Sequence, residues 1–219
     1  MRSPEPHAPD LPTEGAAPMP PILKIDLDAR LKSGQPVVLE LGCGPNKTTG
    51  RIGIDLIDLP GVDIVANIDD GLGFLPDASV DAIYSESFFE HVADLQQLMA
   101  EIVRVLKPDG FNWMFVPHFS NPFYYSDYTH KSFFGLYTLR YFCEPQHQLR
   151  HKVPTFYSSV RIRVVSQRLI FFSNFRGIRL LKKVFQKLIN SSPWLQEFYE
   201  ENLCHLIPCY GMELRFTRA

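Results

Sequence analysis

The stretch LELGCGPNKTTGRIGIDL, Leu39 to Leu56, constrains the fold more than any other part of the chain. An apolar run, Pro36 to Leu41, is closed by Gly42-Cys43-Gly44, and a second run, Arg51 to Leu56, brings an acid, Asp55, to its end. Short apolar runs bounded by turn residues predict buried parallel strands. Glycines at the end of such a strand let the backbone pass close to a ligand. An acid closing the next strand is placed to accept hydrogen bonds from ribose hydroxyls. A dinucleotide site also needs a third glycine and a helix whose N-terminus faces the pyrophosphate. Here Pro45-Asn46-Lys47 stands where that helix would begin, and the second strand follows almost at once. The turn therefore suits a nucleoside ligand without phosphates.

The rest of the first half keeps the same rhythm. Val62 to Ala66 reads as a third strand, Leu75 to Ser79 as a turn, and Val80 to Ser85 as a fourth strand. Helical spacing runs from Leu95 to Leu106 and stops at Lys107-Pro108-Asp109-Gly110; Phe111 to Val116 is a fifth strand, ended by Pro117. This alternation predicts an α/β fold on a parallel sheet. After Pro117 the character changes to HFSNPFYYSDYTHKSFFGLYTLRYF, aromatic and polar together. Ser158 to Val165 alternates like a strand, and Met212 to Thr217 like a final one. Arg176 to Asn190 spaces Ile178, Leu181, Val184, Phe185 and Leu188 on one face of a basic amphipathic helix.

A chain of 219 residues with 45% hydrophobic residues suits one globular domain. No apolar run reaches the roughly 20 residues that span a bilayer. Residues 1–21, rich in Pro, Ala and acids and without an apolar signal core, read as a disordered lead-in, leaving 22–219 as the domain. Cys43, Cys143, Cys204 and Cys209 have neither metal nor disulfide spacing and read as free thiols in a reducing cytosol. Charge is uneven. Between Pro145 and Gln196 there is no acid, which points to an anionic partner for that face.

Glu40-Leu41-Gly42-Cys43-Gly44 resembles the first motif of class I S-adenosylmethionine-dependent methyltransferases. The likeness continues through Asp55, Asp69, FLPDASVDAIYSESFFEHV and EIVRVLKPDG, from about Val37 to Val116. The short GPNKTTG link is similar to a type-11-like bacterial subgroup found near surface-polysaccharide genes. The resemblance implies a Rossmann-like, seven-stranded, mostly parallel sheet with helices on both faces, the first helix shortened or absent, and a C-terminal helical elaboration. It implies S-adenosylmethionine as cofactor. Glu40, Gly42, Cys43 and Gly44 would frame its methionine end, and Asp55 its ribose, with Leu56 beside the adenine. One of Asn67, Ile68 and Asp69 would meet the base, and Ser85 and Glu86 would lie next to the transferring methyl.

Methyl transfer from a sulfonium to a hydroxyl needs alignment and a base. Histidine oriented by a carboxylate fits. Asp127-Tyr128-Thr129-His130 resembles an Asp-x-Thr-His element of related enzymes, which makes His130 the candidate base, Asp127 its orienting partner and His118 a second candidate. His91, Tyr124, Tyr125 and Tyr128 are candidate substrate contacts within or near an aromatic pocket segment, 117–145. His118, Asp127 and His130 follow no known metal-ligand spacing, so no metal is expected. The basic elaboration, 161–205, and within it 161–187, could meet an anionic membrane surface or a phosphate-bearing substrate. No nucleic-acid module is visible. The alternative is a solvated charged face whose apolar side packs on the sheet. The reading is a cytosolic methyltransferase acting on a hydroxyl of a sugar or lipid-linked glycan, with peripheral contact at the inner face of the membrane as one option for the basic segment. A small-molecule enzyme of specialised metabolism and a catalytically silent cofactor-binding subunit are its rivals.

Overall fold

The computed structural model describes residues 20–219, so the lead-in over 1–21 lies outside the described residues except for its last two. Eight strands form one sheet: β1 (Ile22–Leu23), β2 (Val38–Leu41), β3 (Ile52–Asp55), β4 (Ile64–Val65), β5 (Val80–Glu86), β6 (Leu106–Pro117), β7 (Ile162–Ile170) and β8 (Gly211–Arg218). Their order is β1-β4-β3-β2-β5-β6-β8-β7. Seven of them make the expected Rossmann-like sheet. The eighth, β1, is a two-residue strand that pairs antiparallel with β4 at the edge. Strands β2 to β6 run parallel, and β8 lies antiparallel between β6 and β7.

Among the described residues four α-helices accompany the sheet: α1 (Leu27–Lys32), α2 (Leu95–Val105), α3 (Arg176–Ile189) and α4 (Pro193–Asn202). Among the described residues only one parallel crossover, β5 to β6, carries an α-helix, α2. The link from β2 to β3 holds a 3-10 turn, Gly44–Asn46, as the short spacing predicts. Parallel strands are ordinarily joined by a dozen or more residues; here β2 ends at Leu41 and β3 begins at Ile52.

The elements follow from the pattern. Leu39, Leu41, Ile54, Ile64 and Ile83 are fully buried, as unbroken apolar runs in a parallel sheet should be. Helix α2 starts where the Asp94 side chain accepts the Gln97 N–H at 2.9 Å, and it presses Leu98, Met99, Ile102 and Val105 into the same core. Two expectations shift. The Lys107 to Gly110 turn lies inside β6 as an irregularity: Val80 pairs with Leu106, but Ala82 pairs with Phe111. The start of the 161–205 segment is a sheet strand, β7, and the helical elaboration is the pair α3 and α4 between β7 and β8.

Candidate active site

Strands β2, β3 and β5 end at one edge because they run parallel. The chain steps outward from β2 to β3 and β4, then returns to β5 on the other side of β2. Ligand crevices open at such switch points. The Gly42 N–H donates to Ile54 O at 2.9 Å. Gly42 holds φ at +64°, and a Cβ there would sit 2.7 Å from a Phe88 ring carbon, so only glycine fits. Asp55 is fixed by two backbone donors, Gly44 N–H at 2.8 Å and Ile57 N–H at 3.0 Å, one on each oxygen. Each oxygen keeps a lone pair for a ligand.

The loop that replaces the helix is stitched down by side chains. Glu40 accepts the Thr48 N–H at 3.1 Å and pairs with Arg51 at 3.2 Å, whose guanidinium lies 3.7 Å from the Tyr84 ring centre. Lys47 pairs with Asp63, which also accepts the Gly53 N–H at 2.8 Å. Cys43 is buried, and burial, followed by the charges of Asp55 and Glu40, pushes its thiol up to about 11, so it is unreactive here. Further along the edge, Asn67 accepts the Asp69 N–H at 3.1 Å and caps the turn Ile68–Asp70. Asp69 accepts the Ala93 N–H at 3.0 Å. Ile68 is buried and Leu56 half-buried. Ser85 is buried with no hydrogen-bond partner for its hydroxyl among the described residues, and Glu86 is exposed.

Beyond β5 a cavity of about 550 Å³ opens. Ser87, Glu90, His91, Asp127 and His130 line one side. Ser87 holds φ at +50°, a rare backbone state of the kind that gathers at functional sites. Two backbone donors, Lys131 N–H at 2.7 Å and Ser132 N–H at 3.1 Å, reach the Glu90 carbonyl and draw the Asp127 to His130 segment against the turn Phe89–His91. The His91 and His130 rings then meet edge to face, with centres 4.8 Å apart.

Hydrogen bonds settle the tautomers. His130 Nδ1 lies 2.9 Å from Tyr124 O. A carbonyl only accepts, so Nδ1 carries the proton and Nε2 offers a lone pair. Asp127 Oδ2 is 3.6 Å from that Nε2. The Thr129 hydroxyl donates to Asp127 at 2.5 Å, and this bond holds the Asp127 carboxyl below its ordinary range. The hydroxyl oxygen therefore accepts from His91 Nδ1 at 2.9 Å, which leaves His91 Nε2 open as well. Burial, then the neighbouring His130, pushes His91 down.

Glu90 is fully buried, and neither carboxylate oxygen has a hydrogen-bond partner among the described residues. Burial pushes it up to about 7; its own backbone N–H opposes this without reaching hydrogen-bond geometry, and Asp127 adds to the rise. Glu90, His91 and His130 each offer a ligand atom within 4.8 Å of the other two, so the fold assembles a group that could hold a cation where the linear spacing shows none.

Other candidates lie elsewhere. His118 is fully buried away from the cavity, with Nδ1 2.8 Å from Ser120 Oγ and Nε2 3.0 Å from Glu200. Both ring nitrogens are taken, so His118 braces β6 against α4. Tyr124 lines the cavity, its hydroxyl donating to Ser132 O, and burial pushes it up to about 12. Tyr125 packs on Phe133, and Tyr128 is 93% exposed; neither lines the cavity. Sequence reasoning missed Glu90, Ser87 and Tyr210, whereas Phe172, Phe175 and Lys182, which also line the cavity, fall in the 161–187 stretch it offered as a contact for a phosphate-bearing substrate.

Residues 58–114 match the model of a family described as a methyltransferase domain, a stretch that begins after β3 and so leaves out the glycine turn and Asp55. The fold is similar to a S-adenosylmethionine-dependent methyltransferase from Archaeoglobus fulgidus: 17% identity, 88% of this chain and 93% of that one, TM-score 0.53. It is also similar to a Haloferax volcanii methyltransferase solved with a methyltransferase activator: 17% identity, 88% of each chain, TM-score 0.50. No curated protein matches the sequence. A quarter of the chain thus matches a methyltransferase family model, and its fold is similar to that of S-adenosylmethionine-dependent methyltransferases of known structure.

Proposed function

We propose that this protein is an S-adenosylmethionine-dependent methyltransferase acting on a hydroxyl, and that the acceptor is a sugar or a glycan on a lipid or phosphate carrier. One observation carries the reading: the cavity holding Glu90, His91, Asp127 and His130 begins at Ser87, directly after the strand end that closes the cofactor crevice. The cofactor suits that crevice on three grounds. The Gly42 turn admits close approach, Asp55 is oriented with lone pairs to spare for ribose hydroxyls, and the buried Ser85 hydroxyl lacks a partner. The capping role of Asn67 leaves Asp69 and Ile68 as the neighbours of the base.

When bound, the cofactor supplies an electrophilic methyl on a sulfonium. The protein's part is to hold the acceptor in line and take its proton. His130 lines the cavity, its Nδ1 proton held by the Tyr124 carbonyl so that Nε2 keeps a lone pair, and Asp127 stands beside Nε2 to stabilise the imidazolium. Lys182 on the far wall and the acid-free stretch around it favour an anionic carrier.

Titration calorimetry with S-adenosylmethionine is the first test: a folded protein that does not bind it sinks the reading. Asp55→Ala should weaken binding by about tenfold to hundredfold, the worth of charged hydrogen bonds. His130→Ala should leave binding unchanged and slow turnover by about a hundredfold to ten-thousandfold; full activity in that variant removes His130 as base.

A further inference from the structure

Helix α3 is strongly amphipathic, yet its apolar stripe is not packed on the sheet. Ile178, Leu181, Val184 and Leu188 are 48%, 67%, 63% and 57% exposed, and only Ile189 is buried. Their spacing of three to four residues makes one continuous stripe along the helix. The neighbouring stripe carries Arg176, Lys183 and Lys187, all exposed and none in an ion pair with a described residue. The side toward the protein is held by other residues, among them Phe185 at the inner edge of the apolar face, whose ring meets Phe171 and Tyr199 with centres 5.1 Å and 5.9 Å away. Gln186 accepts the Phe171 N–H at 2.8 Å, Lys182 donates to Phe172 O and Pro208 O, and Arg179 donates to Ser173 O.

Two charge observations favour an anionic occupant. The first turn of α3 carries Arg176 and Arg179, no acid and no capping side chain, which opposes the helix dipole. An anionic surface there relieves the conflict. The acids of the neighbouring helix α4 are engaged elsewhere: Glu197 accepts from Tyr137 at 3.0 Å, Glu200 accepts the Leu136 N–H at 2.8 Å, and Glu201 lines a separate pocket with Arg150 and His151. A basic stripe beside an apolar one, on a helix of low mean hydropathy, is the pattern of helices that lie in the interfacial layer of a bilayer.

The cavity ties this face to the chemistry. Phe172, Ser173, Asn174 and Phe175, which lead into α3, line it together with His130 and Glu90. Phe175, the residue before the helix, is 77% exposed. We propose that α3 docks the protein on an anionic lipid bilayer and that the acceptor cavity opens onto the docked face, so that the methylated hydroxyl belongs to a membrane amphiphile. The second half rests on reading the cavity as the acceptor site; the docking half does not.

The test uses the full chain without cofactor and vesicles of phosphatidylcholine with or without about a third phosphatidylglycerol. Co-sedimentation is expected with the anionic vesicles only, weakening with salt. Lys183→Ala with Lys187→Ala should lower partitioning by about thirtyfold, from roughly 1 kcal/mol per surface cation. Leu181→Glu with Leu188→Glu should abolish it, while circular dichroism stays unchanged. Phe175→Trp should show blue-shifted emission, quenched by brominated lipid, above the background of Trp113 and Trp194. No sedimentation at low salt overturns docking, as does sedimentation that these variants leave intact. A dimer that Leu181→Glu converts to monomer, without vesicle binding, assigns the stripe to a second copy instead. Vesicle binding with unshifted Phe175→Trp emission overturns the placement of the cavity mouth. Parallel calorimetry with S-adenosylmethionine separates any of these failures from failure of the methyltransferase reading.

Discussion

Helices α2 and α3 are written in the same code and meet opposite fates. Both place apolar residues three and four apart. In α2 that face, Leu98, Met99, Ile102 and Val105, is wholly buried beneath the parallel strands. In α3 most of the apolar stripe faces outward, and the helix is held to the body by Phe185 and Ile189 at the stripe's edge together with Lys182 and Gln186. Periodicity states which side of a helix is apolar; it does not state what will cover that side. The alternative that the basic helix packs its apolar side on the body holds only for Phe185 and Ile189, while Ile178, Leu181, Val184 and Leu188 stay exposed, and only geometry could show the division.

The contrast is sharpest in the cost of truncation. Ile102→Ala should destabilise the fold by about 2–5 kcal/mol, because it empties a packed core, whereas Leu181→Ala should fall within about 0.5 kcal/mol. Urea unfolding of the two variants checks this; equal costs would mean that the α3 stripe is covered in solution.

A smaller effect comes from the cavity that Glu90 shares with the start of α3. Glu90 is raised from an ordinary 4.5 to about 7, so the folded state prefers its protonated form. The stabilisation from this preference is full below the unfolded value and falls as pH rises through the interval up to about 7. The loss amounts to about 3 kcal/mol and then levels off. Glu90→Gln should lack this slope. Denaturation midpoints at pH 5 and pH 8 compare the two proteins, and parallel slopes would show that Glu90 finds a partner in solution.

The smallest effects lie at the helix starts. Asp94→Ala should remove the α2 cap at about 1 kcal/mol, and Phe175→Ser, by giving α3 the cap it lacks, should gain up to about as much in lipid-free buffer. Thermal melts of both variants read the two signs.

Much of the parallel half was legible because its residues are constrained locally. Unbroken apolar runs, the Gly42 turn and the helical spacing from Leu95 each carry their signal within a few positions. The site beyond Pro117 was legible only in part. Asp127 and His130 announce themselves by type and spacing, but Glu90 looks like any loop acid until two backbone donors from Lys131 and Ser132 close the segment over it. His118 had the right chemistry and the wrong surroundings, since Ser120 and Glu200 occupy both nitrogens. Asn67 is a cap, a role that depends on the turn following it. The strand β1 is too short for any pattern to mark.

The short link between β2 and β3 has a consequence for the order in which the molecule assembles. Leu39 and Ile52 are paired across 13 positions of chain, whereas Phe111 and Thr217, on β6 and β8, are paired across 106. Closing the smaller loop costs less entropy, and contacts of low sequence separation form sooner. Losing the first helix thus makes the cofactor-binding edge one of the most local pieces of an otherwise non-local sheet. Mutations in Leu39 or Ile54 should slow refolding, while mutations in Phe216 should chiefly speed unfolding.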